Sequence, residues 1–147
     1  MTYDISPEHR NDALCRLGEY MLSDHATWIT IQDKAVQANA WFTQAHISLA
    51  IERIVSEFLQ EEKLRQWMNG YKLPASPKTV GIVMAGNIPL VGFHDFLCGI
   101  MSGHKLLLKL SSKDDVLLPH LIGQLAEWEP GIAQQVEIAE RLNNCDA

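Results

Sequence analysis

The stretch that most constrains this chain runs from Thr79 to Leu110. Thr79 to Ala85 is a short apolar run rich in β-branched residues, the pattern of a buried strand, and Lys105 to Leu110 is a second. Between them, Leu90 to Ser102 is apolar nearly all round, which suits a buried helix, and Gly103 follows as a stop signal. Ser111 and Ser112 each have an acidic residue three positions on, Asp114 and Asp115. This capping-box spacing predicts that a helix opens there and runs to about Trp128, despite Pro119 inside the pattern. Glu129-Pro130-Gly131 reads as a turn and Val136 to Ala139 as a third strand. Strand, helix, strand, helix, strand predicts an α/β fold, a parallel sheet with helices packed on its faces.

The first half has another texture. Residues 1 to about 76 read as a helical N-terminal segment. Ser6-Pro7 is an N-cap with proline in the first turn, followed by Leu14, Leu17, Met21 and Leu22 at helical spacing. The clearest helix starts at Thr43. Ile47, Ile51, Ile54, Val55 and Phe58 form one stripe, and Phe42 and Ile47 have the spacing of a hydrophobic staple. Leu59 to Trp67 continues or restarts that helix. Asn69-Gly70 ends it with a left-handed residue, and Leu73 to Pro77 (LPASP) is the predicted boundary before a second unit at 77–147.

A chain of 147 residues, 47 % apolar and 20 % charged, supports one domain with a core of its own. Its net charge of −6 and the lack of a Lys/Arg patch argue against nucleic acid or an anionic membrane as partner. Val80 to Leu110 is broken by Asn87, Pro89, His94, Asp95 and His104, so no membrane span is expected. MTYDISPEHR has no basic-then-apolar pattern, so no secretory leader is expected. The three cysteines, Cys15, Cys98 and Cys145, are odd in number and far apart, which predicts free thiols and a cytoplasmic setting. The six histidines show no metal-binding spacing, so no metal is expected. His94 and Asp95 are adjacent on a helix and do not face each other as an acid/base pair. Trp28, Trp41, Trp67 and Trp128 are read as core residues. The chain ends at Asn143 to Ala147, where another element should begin. The expectation is an incomplete sheet, part of a larger domain, with an open edge that could self-associate.

Strands of a parallel sheet share one carboxyl edge, and ligands bind along it. Asn87 lies just past the first strand and Lys109 near the end of the second. Ala85 and Gly86 lack bulk, which would let a ligand approach the backbone. An Asn amide there can donate to an oxygen that gains negative charge, and a lysine can bond ribose hydroxyls or phosphate. The same residues also make good turn chemistry and an ordinary solvated charge, and both readings stay open. The dinucleotide signature GxGxxG is absent; close packing accounts for Gly99 and Gly103.

The run GIVMAGNIPLVGFHDFLCGIMSGHKLLLKLSSKD resembles the start of the nucleotide-binding domain of the aldehyde dehydrogenase superfamily, especially the LuxC-type acyl-CoA reductases. Gly86-Asn87-Ile88-Pro89-Leu90 matches the family's turn after the first strand. Gly103 to Lys109 matches its later Gly-to-Lys stretch, and Asn39 to Thr43 and the Trp67 to Tyr71 region are also similar. The resemblance implies a Rossmann-like domain at 77–147, partial here. It implies that Asn87 is the amide donor to a thiohemiacetal oxyanion. It makes Lys109, Ser111 and Ser112 cofactor-binding residues for NADPH or NADH. Serine at 112, where many NAD-preferring relatives carry Glu, tolerates a 2′-phosphate. It places Val91 and Asp95 toward a substrate channel, although core packing and helix-dipole charge explain them equally well.

The family's nucleophilic cysteine holds the acyl group as a thioester before hydride arrives. None of Cys15, Cys98 and Cys145 stands in the matching context. The expectation is therefore the N-terminal part of a reductase that converts a fatty acyl-CoA, or another acyl thioester, to an aldehyde, inactive alone. The alternative is a non-catalytic α/β module that binds a nucleotide or a protein through its sheet edge.

Overall fold

The computed structural model describes residues 5–147; residues 1–4, on which the leader expectation partly rests, lie outside the described residues. Four helices come first. In α1 (Pro7–Leu22) the Ser6 hydroxyl accepts from the His9 N–H at 3.1 Å and Pro7 fills the first turn. Leu14, Leu17 and Met21 are buried, but Leu22 is exposed and leaves the stripe. In α2 (Ala26–Ala38), which no single motif announced, Trp28 is fully buried and its indole donates to the Met21 carbonyl at 2.9 Å. The Thr43 hydroxyl caps α3 (Gln44–Phe58) by accepting from the His46 N–H at 3.1 Å, and the staple pair Phe42 and Ile47 is buried. The chain then breaks at Leu59-Gln60 and restarts as α4 (Glu61–Asn69). Gly70 has φ −81°, so this helix ends without the left-handed residue expected. Its terminus tightens instead, with the Gly70 N–H bonding the Trp67 carbonyl.

The second half is α/β, as the alternation predicts: β1 (Thr79–Val83), α5 (Phe93–Ser102), β2 (Lys105–Lys109), α6 (Leu117–Trp128), α7 (Pro130–Gln135) and β3 (Val136–Ile138). The sheet order is β1-β2-β3, all parallel, with Val83 opposite Lys109 and Leu107 opposite Glu137. The strands end one or two residues earlier than expected, at Val83, Lys109 and Ile138, and three helix boundaries differ. Leu90 has φ 58°, which a helix cannot include, so α5 starts at Phe93 rather than Leu90. Ser111 and Ser112 cap nothing: the Ser111 hydroxyl accepts from the Lys113 N–H and its carbonyl from the Asp114 N–H, a closed turn, and α6 begins at Leu117. That start puts Pro119 in the first turn, where a missing N–H costs little. Pro130 opens α7 rather than making a turn.

The helices cover one face of the sheet, not both. Leu106, Leu108, Val80, Ile82 and Val136 join the helical core, and the Leu106 side chain occupies the space a Cβ at Gly99 of α5 would need. Two right-handed crossovers that step in the same direction place both intervening helices on the same side. On the other face alternate Gly81, Val83, Leu107 and Lys109. On that face Leu142 and Cys145 of the tail lie close against Gly81.

The tail also pairs with β1. The Ala147 N–H bonds the Thr79 carbonyl at 3.3 Å and the Gly81 N–H bonds the Ala147 carbonyl at 2.8 Å. This is the bonding pattern of a parallel bridge. Asp146 adds a carboxylate bond to the Thr79 N–H at 2.8 Å. The outer edge of β1 is thus taken at Thr79 and Gly81 by the chain itself, while the outer edge of β3 carries no strand among the described residues, as expected of an incomplete sheet. The order across the sheet becomes β3-β2-β1-tail, and the direction of succession reverses at β1.

One core spans both halves. A polar device joins them. The buried Arg10 of α1 donates through Nη1 to the carbonyl of Ile100, near the end of α5, and Gln135 of α7 donates to the same oxygen at 3.2 Å. Among the described residues no carboxylate lies within salt-bridge distance of Arg10, so the carbonyl end of α5 is its counter-charge. Burial lowers the Arg10 pKa from its ordinary value, and Glu129 partly offsets the shift. No helix among the described residues is long and apolar enough to cross a membrane.

Candidate functional site

Parallel pairing carries the ends of β1 and β2 to the same edge of the sheet. The chain leaves β1 through Met84 to Gly92, which turns sharply at Leu90 before α5 begins. Asn87 sits at the crest of this loop. It is exposed, and its side chain makes no hydrogen bond among the described residues, so the amide is not consumed as a cap. It lines a groove of about 480 Å³ with Ile88 and Pro89 on its own loop and Trp41, His46, Leu49, Ala50 and Arg53 from the start of α3 and the segment before it. The groove is mostly apolar: Trp41 is 82 % exposed, Leu49 53 % and Ile88 54 %. This corrects the reading of Trp41 as a core residue. Trp28 is buried, but Trp41 presents its ring to solvent beside Asn87.

The glycine before Asn87 works differently from expectation. A Cβ on Gly86 would overlap the hydroxyl and Cβ of Ser111 and come within 3.1 Å of the Lys113 Cβ. The missing side chain lets the loop after β2 close onto the loop after β1. It does not leave a gap for a ligand. A second tie reinforces the first. Asp114, only 8 % exposed, accepts through Oδ2 from the Leu90 N–H at 2.8 Å. Its other oxygen is buried and has no partner. Burial pushes the Asp114 carboxyl up to about 6, the Leu90 bond opposes the shift, and Asp115 adds to it. The acidic residue that the capping-box pattern assigned to a helix instead braces the loop that carries Asn87.

Lys109 is exposed at the end of β2, opposite Val83, and its side chain alternates onto the face away from Leu108. Ser112 and Lys113 are exposed beside it and Ser111 is half-buried. None of these four lines the Asn87 groove. Asn87 and the Lys109–Lys113 segment therefore share the carboxyl edge: Asn87 opens toward the helical half, Lys109 lies on the face away from Leu108, and the Lys113 carbonyl accepts from the Asn39 side chain at 2.9 Å. Val91 is half-buried and Asp95 is exposed in the first turn of α5; neither lines the groove.

A LuxC acyl-CoA reductase family model matches residues 9–142.

The chain belongs to the LuxC acyl-CoA reductase family. No curated protein and no solved structure matches it.

Within this LuxC-family chain two of the thiols, Cys15 and Cys98, sit where the thiolate is disfavoured. Burial pushes the Cys15 thiol up, and Glu61, Asp12 and Glu19 add to the shift. Burial and then Asp95 push Cys98 up. A thiolate nucleophile needs the opposite environment. Cys98 does have a histidine within reach, His94, with ring nitrogens 3.8 and 3.9 Å from Sγ. That i,i+4 pair escaped a search for spacing among histidines alone. His94 instead packs its ring on Phe58, with centroids 4.9 Å apart. All three cysteines are free, and no three metal-ligating side chains cluster among the described residues.

The sequence reading missed Trp41, Leu49 and Arg53 as neighbours of Asn87, and Lys113 beside Lys109. Lys113 and the serines were legible as a polar run after a strand. The groove residues were not, because they reach Asn87 only through packing between the halves.

Proposed function

We propose that this chain forms part of a reductase acting on fatty acyl thioesters, supplying the oxyanion donor and one wall of a nicotinamide-cofactor groove. The observation that carries the reading is the shared carboxyl edge: Asn87 follows β1, Lys109 ends β2, and the two strands are parallel neighbours. Residues 77–147 form the cofactor-side unit in this reading, and residues 1–76 wall the acyl side.

The donor set fits a nucleotide. The exposed tip after β2 presents the Lys109 and Lys113 ammonium groups and the Ser112 hydroxyl, while its buried carboxylate, Asp114, points inward to Leu90. Cations and hydroxyls suit ribose hydroxyls and a 2′-phosphate, while the exposed Asp115 on the same loop opposes the phosphate, so NADPH and NADH both remain candidates in this reading. The cofactor, when bound, supplies hydride. Lys109 holds the ribose, and Ser111 and Ser112 shape the turn against which it lies. The Asn87 amide donates to the carbonyl oxygen of the thioester as it gains charge; such a donor is worth roughly 3–4 kcal/mol in the transition state. The apolar groove of Trp41, Leu49 and Ile88 offers the acyl chain a dry wall. The nucleophile is assigned to none of Cys15, Cys98 and Cys145. The rival reading, a non-catalytic module that captures a strand at its sheet edge, would have to use the outer edge of β3, because the tail lies along β1.

The test is in two parts. Titration of NADPH into the 147-residue chain, followed by nicotinamide fluorescence, is expected to saturate and to weaken about tenfold in Lys109→Ala, the loss of one charge-assisted contact. Absence of saturable binding removes the cofactor role. Incubation with NADPH and a long-chain acyl-CoA is expected to oxidise no cofactor. Turnover abolished by Cys98→Ser would overturn the assignment of the nucleophile.

A further inference from the structure

At the opposite, amino end of the sheet the chain builds a second cavity. It lies between α4, the strap from Tyr71 to Lys78 and the last turns of α5, and its volume is about 390 Å³. That is within the range of small-ligand clefts. Trp67, Met68, Pro74 and Met101 make the apolar wall, with Tyr71 standing edge-on to Trp67 at 6.3 Å. Two methionines let such a wall adapt to the shape of its occupant. Cys98 is exposed to this cavity, and neither Cys15 nor Cys145 lines it.

The polar groups of the cavity have one sign. No Asp or Glu lines it. Lys72 contributes an ammonium. His104 accepts from the Lys78 N–H through Nδ1 at 3.0 Å, which fixes the tautomer with the proton on Nε2 and leaves that N–H as a donor. The Ser102 hydroxyl is turned away to the Gly99 carbonyl at 2.7 Å. Two of the last carbonyls of α5, which could have drawn a cation, are already bonded: Gly99 to Ser102, and Ile100 to Gly103, Arg10 and Gln135. An apolar body therefore meets a rim that offers one ammonium and one imidazole N–H and holds no carboxylate. A cationic occupant would find aromatic rings but also the Lys72 charge, and a neutral one would gain nothing from that exposed ammonium.

We propose that this cavity is a binding site for an amphiphilic carboxylate, a single anionic head on an apolar body, with the head at Lys72 and His104 and the body against Trp67, Met68 and Met101. The site is separate from the Asn87 edge and does not depend on the reading of that edge.

Cys98 makes the occupant visible. Alkylation of the three cysteines by iodoacetamide is followed by mass spectrometry of peptides, with decanoate below its micellar range as probe. Decyltrimethylammonium and decanol serve as charge controls. Decanoate is expected to slow alkylation of Cys98 at least fivefold while the rates at Cys15 and Cys145 stay unchanged. Decanol should protect less and decyltrimethylammonium not at all. Lys72→Glu, a change at an exposed side chain, should weaken protection by decanoate at least fivefold and leave that by decanol as it was. The proposal is overturned by no protection at Cys98, by equal protection from the cation, by equal protection of all three thiols, or by a Lys72→Glu chain that responds to decanoate like the parent.

Discussion

The helical half and the α/β half of this chain reach order by different routes. In the helical half the instructions are local: Ser6 and Thr43 cap their own helices, Phe42 staples to Ile47, and an isoleucine stripe faces inward. In the α/β half the decisive contacts join residues far apart in the chain. Gly86 exists for Ser111, Asp114 for the Leu90 N–H, Gly99 for Leu106, and the end of α5 for Arg10. The local signals each act within one element, whereas the ties of the second half act between elements and depend on both partners being in place.

The sharpest way to break this comparison is to cut the bond between the halves. Arg10→Ala removes a buried guanidinium and leaves the Ile100 carbonyl with fewer donors, so urea unfolding should show a loss of about 3 kcal/mol. Because one core spans both halves, fluorescence and far-UV signals should move together; separate transitions would show that the halves unfold independently. Next comes Asp114. Its pKa of about 6 lies above the ordinary 3.8, so the folded state binds the proton more tightly than the unfolded one. This group's contribution is therefore most favourable below pH 4, declines as pH rises to about 6 and is level above that. Asp114→Asn, which keeps an acceptor for the Leu90 N–H, should remove that decline, on the order of 2 kcal/mol. Asp114→Ala should destabilise instead, because the N–H is left unpaired.

Gly86→Ala should cost about 1–2 kcal/mol by forcing the Ser111 loop away, and Ser111→Gly in the same chain should recover most of it. A local signal is worth less: Thr43→Ala should cost about 1 kcal/mol. The smallest effect concerns a contact between the halves. His120 of α6 stacks on Trp28 with ring centroids 5.7 Å apart and bonds the Tyr20 hydroxyl at 2.7 Å. Burial, then His25, lowers its pKa below 6.5, so the neutral ring is favoured in the fold. That contribution is present above pH 6.5 and is lost as pH falls through the window below it. His120→Phe should flatten this acid-side slope, opposite in sign to that of Asp114, in a series of melting temperatures from pH 7 to 5.

The legibility of the sequence follows the same division. The caps at Ser6 and Thr43, all three strands and the left-handed stop at Gly103 (φ 78°) could be read because each is set by residues within a few positions of one another. The misreadings cluster where distant residues compete for a local signal. Ser111 and Asp114 have capping-box spacing, yet Gly86 admits one and Leu90 engages the other. Trp41 has the composition of a core residue, but no facing element covers it. At the candidate site, Asn87 and Lys109 could be placed on one edge from strand order alone. The groove of Trp41, Leu49 and Arg53 could not, since α3 lies far upstream.

By itself the sequence determined the parallel α/β alternation, the caps, and the edge on which Asn87 and Lys109 fall, because 3.6-residue and 2-residue periodicities and single capping side chains act over short range. Only the tertiary structure decided which face of the sheet the helices cover, that the tail closes the edge of β1, and that Asn87 opens to a groove while Lys109 faces the other way. Those outcomes depend on crossover handedness and on which distant side chain fills the space a glycine leaves, and neither is written in any short window of residues.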